Sequence, residues 1–207
     1  MSLSGPERTD RLRAEHGGRT DGLIEIRRVF DDGDPGLAAV ERIRRLVEYD
    51  RSAFASFERS VRRLGWARAC RDRGIGHGSI KNTLVHILNV HEIWLVAAAQ
   101  QRWDEVVGYA GRRTEAVRSF QDLARYRQRV WKAIDPLVDS LTDRRLRGRV
   151  QVPWMRARYT LEDGFQQASF EQAHHLGEII GAYWQMDRTP PQMMWIPLTT
   201  GLRVSVT

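Results

Sequence analysis

The sequence predicts an all-α protein built as a four-helix bundle. Four long segments repeat apolar residues at three- and four-residue spacing, which is typical of amphipathic helices. Polar cap residues precede these segments, and glycine-containing breaks separate them. A longer irregular stretch lies between the third and fourth segments. The prediction therefore adds a short hairpin-like excursion before the fourth helix, together with N- and C-terminal extensions.

The first two predicted helices are defined by their caps. The first follows "DDGDPG", with Asp34 as N-cap and Pro35 at the first helical position, and Gly65 closes it. Ser79 is the expected N-cap of the second helix, which begins with "IKNTLVHILNVHEIWL". Apolar residues surround most of this second helix. We therefore expect it to be the most buried of the four.

The other two predicted helices lie on either side of the excursion. Thr114 is the expected cap of the third, which begins at Glu115 and has Pro136 near its end. The segment "DRRLRGRVQVPWMRARYT" has no helical period, which favours a short hairpin. Thr160 and Asp163 form a near capping box that opens the fourth helix, which is expected to run to about Met186.

These elements predict one domain with extensions. Residues 36–187 form the bundle, residues 1–35 a polar N-terminal extension, and residues 188–207 a proline-broken tail packed on the bundle. A chain of 207 residues is long enough to bury a substantial core in such a bundle.

Composition and charge indicate which classes of partner and which cellular location to expect. The net charge is +7, but Lys81 and Lys132 are the only lysines, and arginine is spread over every segment. Dispersed arginine suits surface ion-pair networks and does not favour a nucleic-acid partner. No apolar run approaches the roughly 18 to 20 residues of a membrane span, so no membrane partner is expected. Cys70 is the only cysteine, which excludes an intrachain disulfide and makes the cytoplasm the expected location.

A possible metal-binding pair lies in "SFEQAHHLGEIIGAYWQ", residues 169–185. Glu171 and His175 are four residues apart, so both side chains lie on one helical face near the apolar stripe. His174 projects away from that stripe, and Glu178 is placed to support the His175 ring. A pair of this kind is also common as a surface ion pair with no ligand. A metal therefore requires a further donor from another helix.

The second predicted helix offers two such donors, His86 and His91. Both lie among apolar residues, where an unpaired imidazole costs about 1 to 3 kcal/mol. Helical periodicity does not choose between them. His77, in a glycine-rich loop, and His16, in the extension, are interpreted as surface residues.

"GSIKNTLVHILNVHEIWL" and "TLEDGFQQASFEQAHHLGEIIGAYWQ" together resemble the DinB/YfiT-like superfamily of metal-binding four-helix bundles. That family has a histidine in its second helix and an H-x-x-x-H pair in its fourth, before a short sequence that "HLGEI" matches. The resemblance places His86 and His175 at two ligand positions. Glu171 takes the position of the remaining histidine. The resemblance therefore implies a divalent metal (Zn²⁺, Ni²⁺ or Fe²⁺) held by two histidines and one glutamate.

The resemblance also implies a class of function. Three protein ligands leave coordination positions open, which is typical of catalytic metal sites. We therefore expect a metal-dependent enzyme with thiol-dependent transferase or hydrolase chemistry, acting on a small-molecule substrate or with a low-molecular-weight thiol. A homodimer is one possible assembly. Two alternatives remain: a non-catalytic, stress-related helical bundle, and an arginine-rich protein associated with nucleic acid.

Overall fold

Four long helical segments make the bundle in the computed structural model, which describes residues 38–103, 111–152, 156 and 158–193. The helices are α1 (Ala39–Leu64), α2 (Trp66–Cys70), α3 (Ile80–His91), α4 (Gly111–Ala116), α5 (Phe120–Asp139), α6 (Asp143–Leu146) and α7 (Leu161–Trp184). A π-helical segment, Glu92–Ala98, continues α3 without a break. The predicted all-α fold class is confirmed.

Side-chain caps place the starts of the two helices that carry the histidines. Ser79 Oγ accepts a hydrogen bond of 3.2 Å from the Asn82 N–H at the start of α3. At the start of α7, the Thr160 hydroxyl accepts from the Asp163 N–H, and the Asp163 carboxylate accepts from the Thr160 N–H at 2.7 Å. Both predicted caps are confirmed. Each satisfies backbone donors that a helix start leaves unpaired.

The start predicted for the third helix was wrong. Thr114 lies inside the short helix α4, and the long helix α5 begins only at Phe120. Ser119 is the true N-cap, because its hydroxyl accepts a hydrogen bond from the Asp122 N–H. The Asp122 carboxylate in turn accepts from the Ser119 hydroxyl at 2.8 Å. These local bonds outweigh the helical periodicity that runs through the segment.

The cap expected for the first helix, at Asp34 and Pro35, lies outside the described residues.

The excursion before α7 contains a hairpin, as predicted. It begins, however, with the short helix α6 (Asp143–Leu146), which the absence of a helical period did not predict. Strand β1 (Arg149–Val150) pairs antiparallel with β2 (Tyr159–Thr160). Thr160 is both the last strand residue and the N-cap of α7, so the hairpin leads directly into the helix that carries Glu171 and His175. The residues in the middle of the excursion, including Pro153, lie outside the described part.

The core is built where α3 and α7 pack side by side. α1 packs on α7, and the π-helical segment packs on both α5 and α7. Aliphatic and aromatic side chains fill the centre, as the apolar stripes predict. Those that are almost completely buried include Phe54, Phe57, Ile80, Leu84, Ile87, Leu88, Leu123, Ile134, Phe165, Leu176 and Ile179.

Arginine side chains tie neighbouring helices together. Glu58, buried in α1, accepts from Arg62 of the same helix and from Arg127 of α5. Arg51 in α1 likewise pairs with Asp135 in α5. This use of arginine agrees with the ion-pair interpretation of the composition.

The described residues from Ala38 onward form one compact unit. The predicted extension of residues 1–35 lies outside the described residues, as do residues 194–207 of the predicted tail. The domain boundaries therefore stay predictions. None of the described helices combines the length and apolar character needed to cross a membrane.

Candidate metal centre

Three polar side chains of helix α7, those of Glu171, His175 and Glu178, contact one another across successive turns. The Nδ1 atom of His175 lies 2.9 Å from Glu178 Oε2, and its Nε2 atom lies 3.4 Å from Glu171 Oε2. His175 is 6% exposed, so a carboxylate faces each nitrogen of a buried ring. The contact predicted between Glu178 and His175 is present. His174 is exposed, as the helical angle predicts.

Two further histidines meet His175. His86, from α3, lies with its ring centroid 4.6 Å from that of His175 and nearly perpendicular to it. His77 stacks on His86 at 3.7 Å between centroids, and it lies 4.9 Å from the His175 ring. One nitrogen from each of the three rings lies within 4.8 Å of the others. The structure therefore brings three nitrogen donors together from a loop and two helices.

The interpretation of His77 as a surface residue was wrong. It is half-buried, because a tight turn folds its loop back over the start of α3. Gly78 has φ +78° and donates from its N–H to the Ile75 carbonyl at 2.6 Å. Asn82 then donates from its side chain to the His77 carbonyl at 3.1 Å. The glycines on both sides of His77 were the available signal, since they permit such a turn and a close backbone approach.

A second group of potential donors uses the outer side of the same helix turn. His174, His175 and Glu178 also place one donor atom each within 4.8 Å. The Nε2 atom of His174 lies 3.6 Å from Glu178 Oε1. This group is more exposed and takes all its donors from one helix turn. It is therefore the weaker candidate, because a metal site usually draws on more than one element.

The environment keeps two of the rings neutral. Burial lowers the pKa of His86 to about 4, and the neighbouring His77 and His175 act in the same direction. Burial also lowers the pKa of His77, with His175 contributing. Neutral imidazole has a free lone pair, which is the form that binds a metal. At neutral pH, His77 and His86 are thus ready to act as ligands.

Imidazole nitrogens of His86 and His175 that lack a hydrogen-bond donor suit the binding of a divalent metal. His86 Nδ1 is buried and has no hydrogen-bond partner in the described part of the chain. If His175 donates from Nδ1 to Glu178, its Nε2 lone pair faces the Glu171 carboxylate with no proton between them. A cation at that position, or a second proton on His175, removes the repulsion. Nitrogens bound to one ion lie at most about 4.2 Å apart, so binding requires only small ring movements.

The other histidine of the second predicted helix lies elsewhere. His91 is fully buried, with Nδ1 donating to the Ile87 carbonyl at 3.0 Å and Nε2 3.5 Å from Asp50 Oδ2. Asp50 also accepts from the side chains of Ser169 and Gln172. His91 therefore belongs to a buried polar network that joins α1, α3 and α7. Helical periodicity did not choose between His86 and His91. In the structure, His86 is the one that lies near His175.

Two of the three predicted site residues, His86 and His175, meet directly. Glu171 contacts His175, and its second carboxylate oxygen accepts from Gln167 Nε2 at 2.9 Å. Glu171 lies outside the group of three close donors, in which His77 takes the third place. A role for Glu171 as a ligand stays a prediction.

Gly76→Ala is expected to lower the affinity for a divalent metal about 10-fold with little change in stability. A methyl group at this position would lie 2.4 Å from Glu178 Oε1, so the Glu178 carboxylate must shift from the position in which it contacts His175. A flexible side chain yields easily, so the fold should persist. Zn²⁺ titration against a competing chelator, with thermal melting, measures both effects.

Gly177→Ala is the matched control, because nothing lies within 4 Å of the added methyl group. It should leave the affinity unchanged and, in an exposed helix, raise the stability by about 0.5 to 1 kcal/mol. Equal affinities in the two alanine variants would show that Glu178 does not orient a ligand.

Comparison with known proteins supplies a family match. The sequence profile of the DinB superfamily matches residues 31–179. The matched region contains His77, His86, Glu171, His175 and Glu178. None of the curated proteins compared with this chain is similar enough to count as a relative.

Proposed function

This chain belongs to the DinB superfamily, and on that premise we propose that it is a metal-dependent enzyme with one divalent ion between α3, α7 and the His77 loop. His86 and His175 are the central ligands, and His77 is the third nitrogen donor. Glu171 is the adjoining carboxylate, placed to act as a further ligand. Zn²⁺, Ni²⁺ and Fe²⁺ all accept such a mixed set of imidazole and carboxylate donors.

The unpaired Nδ1 atom of His86 is the observation that carries the proposal. A buried nitrogen without a partner costs about 1 to 3 kcal/mol, and here it belongs to a ring enclosed by two other histidines. Purely structural packing has no need of three imidazoles in contact. A shared ion accounts for all three rings and for the carboxylate that faces His175 Nε2.

The surrounding residues orient and balance the donors. Glu178 accepts from His175 Nδ1, which fixes the ring and leaves Nε2 for the site. Asn82 holds the backbone of His77 in place. The bound ion would supply a Lewis acid that polarises a substrate or a thiol. With three protein ligands, a coordination position stays open for a small molecule.

Any reactive thiol comes from outside the chain in this proposal. Burial raises the pKa of Cys70, with Lys81 acting weakly against it, so the thiolate form is disfavoured at neutral pH. The expected partner is therefore a low-molecular-weight thiol or another small-molecule substrate. Adding thiols to Co²⁺-loaded protein tests this partner, since a thiol that reaches the ion changes the visible spectrum.

The two variants Glu171→His and Glu171→Ala test the carboxylate. Glu171→His should keep a stoichiometric metal, because imidazole serves the same ions and position 171 lies one turn before His175. Glu171→Ala should lower the affinity about 10-fold and leave the fold intact. Elemental analysis of untagged protein and chelator competition measure both outcomes.

Gln167→Ala is the control for these variants, since Gln167 contacts Glu171 but offers no metal ligand of comparable strength. It should have a smaller effect than Glu171→Ala. An affinity unchanged in Glu171→Ala would leave the three histidines as the complete protein ligand set. Absence of any stoichiometric metal in the wild-type protein would overturn the proposal.

A further inference from the structure

A pocket of about 480 Å³ opens where the end of α1 meets the end of α7. Its walls include Ser60 and Arg63 from α1, Tyr183 from α7, and Asp187 and Arg188 from the turn that follows α7. None of these residues contributes to the proposed metal centre. Tyr183 lies eight residues after His175, which is about 12 Å along the helix axis.

A buried pair of hydroxyl groups forms the floor of this pocket. Tyr183 is 2% exposed and Ser60 is 6% exposed. The Tyr183 hydroxyl donates to Ser60 Oγ at 2.9 Å. The Ser60 hydroxyl proton has no acceptor among the described residues. The floor therefore holds a buried donor that a ligand could satisfy.

Two arginines stand close to this floor without ion-pair partners in the described ranges. Arg63 and Arg188 line the same pocket as Tyr183. Burial raises the pKa of Tyr183, while the hydrogen bond to Ser60 and the charges of these two arginines act against that rise. Their neighbour Arg62 differs, because it pairs with Glu58 at 2.6 Å. Two arginines that line one pocket and form no ion pair among the described residues are suited to binding an anion.

The backbone turn after α7 holds Arg188 in this position. The Asp187 N–H donates to the Trp184 carbonyl at 3.0 Å, and the Arg188 N–H donates to the Tyr183 carbonyl at 3.1 Å. This is the Schellman pattern, which normally places glycine in the left-handed conformation. Asp187 occupies that position with φ 53°. Aspartate is one of the few residues other than glycine that adopt this conformation readily.

We propose that this pocket binds a small oxyanion, a carboxylate or a phosphate, between the Arg63 and Arg188 guanidinium groups, with Ser60 donating from the floor. The Asp187 carboxylate also lines the pocket, so the two arginines and this aspartate give a local charge of +1 (2 − 1). That balance suits a ligand of low charge. The pocket volume admits a small molecule and is too small for a macromolecule.

Calorimetric titration of chelator-treated wild-type protein with inorganic phosphate, and separately with succinate, tests the proposal. Removing the metal matters because both anions also bind metal ions. Saturable binding of either anion in the millimolar range is expected, and the tighter of the two identifies the ligand class. Arg63→Gln combined with Arg188→Gln should weaken binding at least about tenfold.

Arg44→Gln combined with Arg144→Gln is the matched control, because it removes the same charge from exposed positions outside the pocket. It should leave the affinity within about twofold. Ser60→Ala should weaken binding without changing net charge. The proposal is overturned if the wild-type protein shows no saturable binding of either anion, or if the control variant loses as much affinity as the pocket variant.

The His175→Ala variant separates this site from the metal centre. Anion binding should persist in it, whether or not the metal proposal holds. Loss of anion binding in His175→Ala would show that the anions bind at the histidine cluster, and it would contradict a separate pocket.

Discussion

His175→Ala is expected to lower the Zn²⁺ affinity at least about 100-fold, because even residues that only orient a ligand contribute 10- to 100-fold. His175 contacts every other component of the site, including the rings of His77 and His86 and the carboxylate of Glu171. Competition of the metal-loaded protein with a chelator of known affinity measures the change. Thermal melting of the metal-free variant separates lost affinity from lost fold.

The neighbouring residue provides the control for this prediction. His174→Ala should change the Zn²⁺ affinity by no more than about twofold, since His174 is exposed and outside the three-histidine group. His77→Ala should weaken binding by about tenfold or more. The reverse result, with His174 essential and His77 dispensable, would place the ion in the outer group of His174, His175 and Glu178.

Asp50→Ala is expected to destabilise the protein by about 3 to 5 kcal/mol. Asp50 is 2% exposed, and its carboxylate accepts from Ser169 and Gln172 and faces His91 Nε2. Its removal leaves those three polar groups buried without their partner. Urea unfolding of the metal-free proteins measures the loss, so that metal binding does not contribute to the comparison.

Asp135→Ala is the surface counterpart of that change. Asp135 pairs with Arg51, but its side chain is 47% exposed, so its loss should cost no more than about 1 kcal/mol. Similar losses in Asp50→Ala and Asp135→Ala would show that the buried network around Asp50 contributes little stability. A normal metal affinity in Asp50→Ala would confirm that this network is separate from the metal centre.

The sequence by itself determined the local features of this protein. Ser79 and Thr160 cap the helices as predicted, because a cap depends on residues only three positions apart. Glu171, His175 and Glu178 lie together for the same reason, since one helix turn brings residues three and four apart into contact. The all-α class followed from apolar periodicity. The late start of α5 shows the limit of periodicity, because the bonds of Ser119 and Asp122 override it.

Only the tertiary structure decided which histidines meet. His86 and His91 are both on α3 and both have apolar neighbours, so the choice depends on how α3 is rotated against α7 and α1. His77 reaches the site because the glycine turn folds back over α3. Such contacts join residues far apart in the chain, and their geometry comes from the packing of whole helices rather than from local spacing. The same holds for the pocket of Arg63 and Arg188, whose walls come from opposite ends of the bundle sequence.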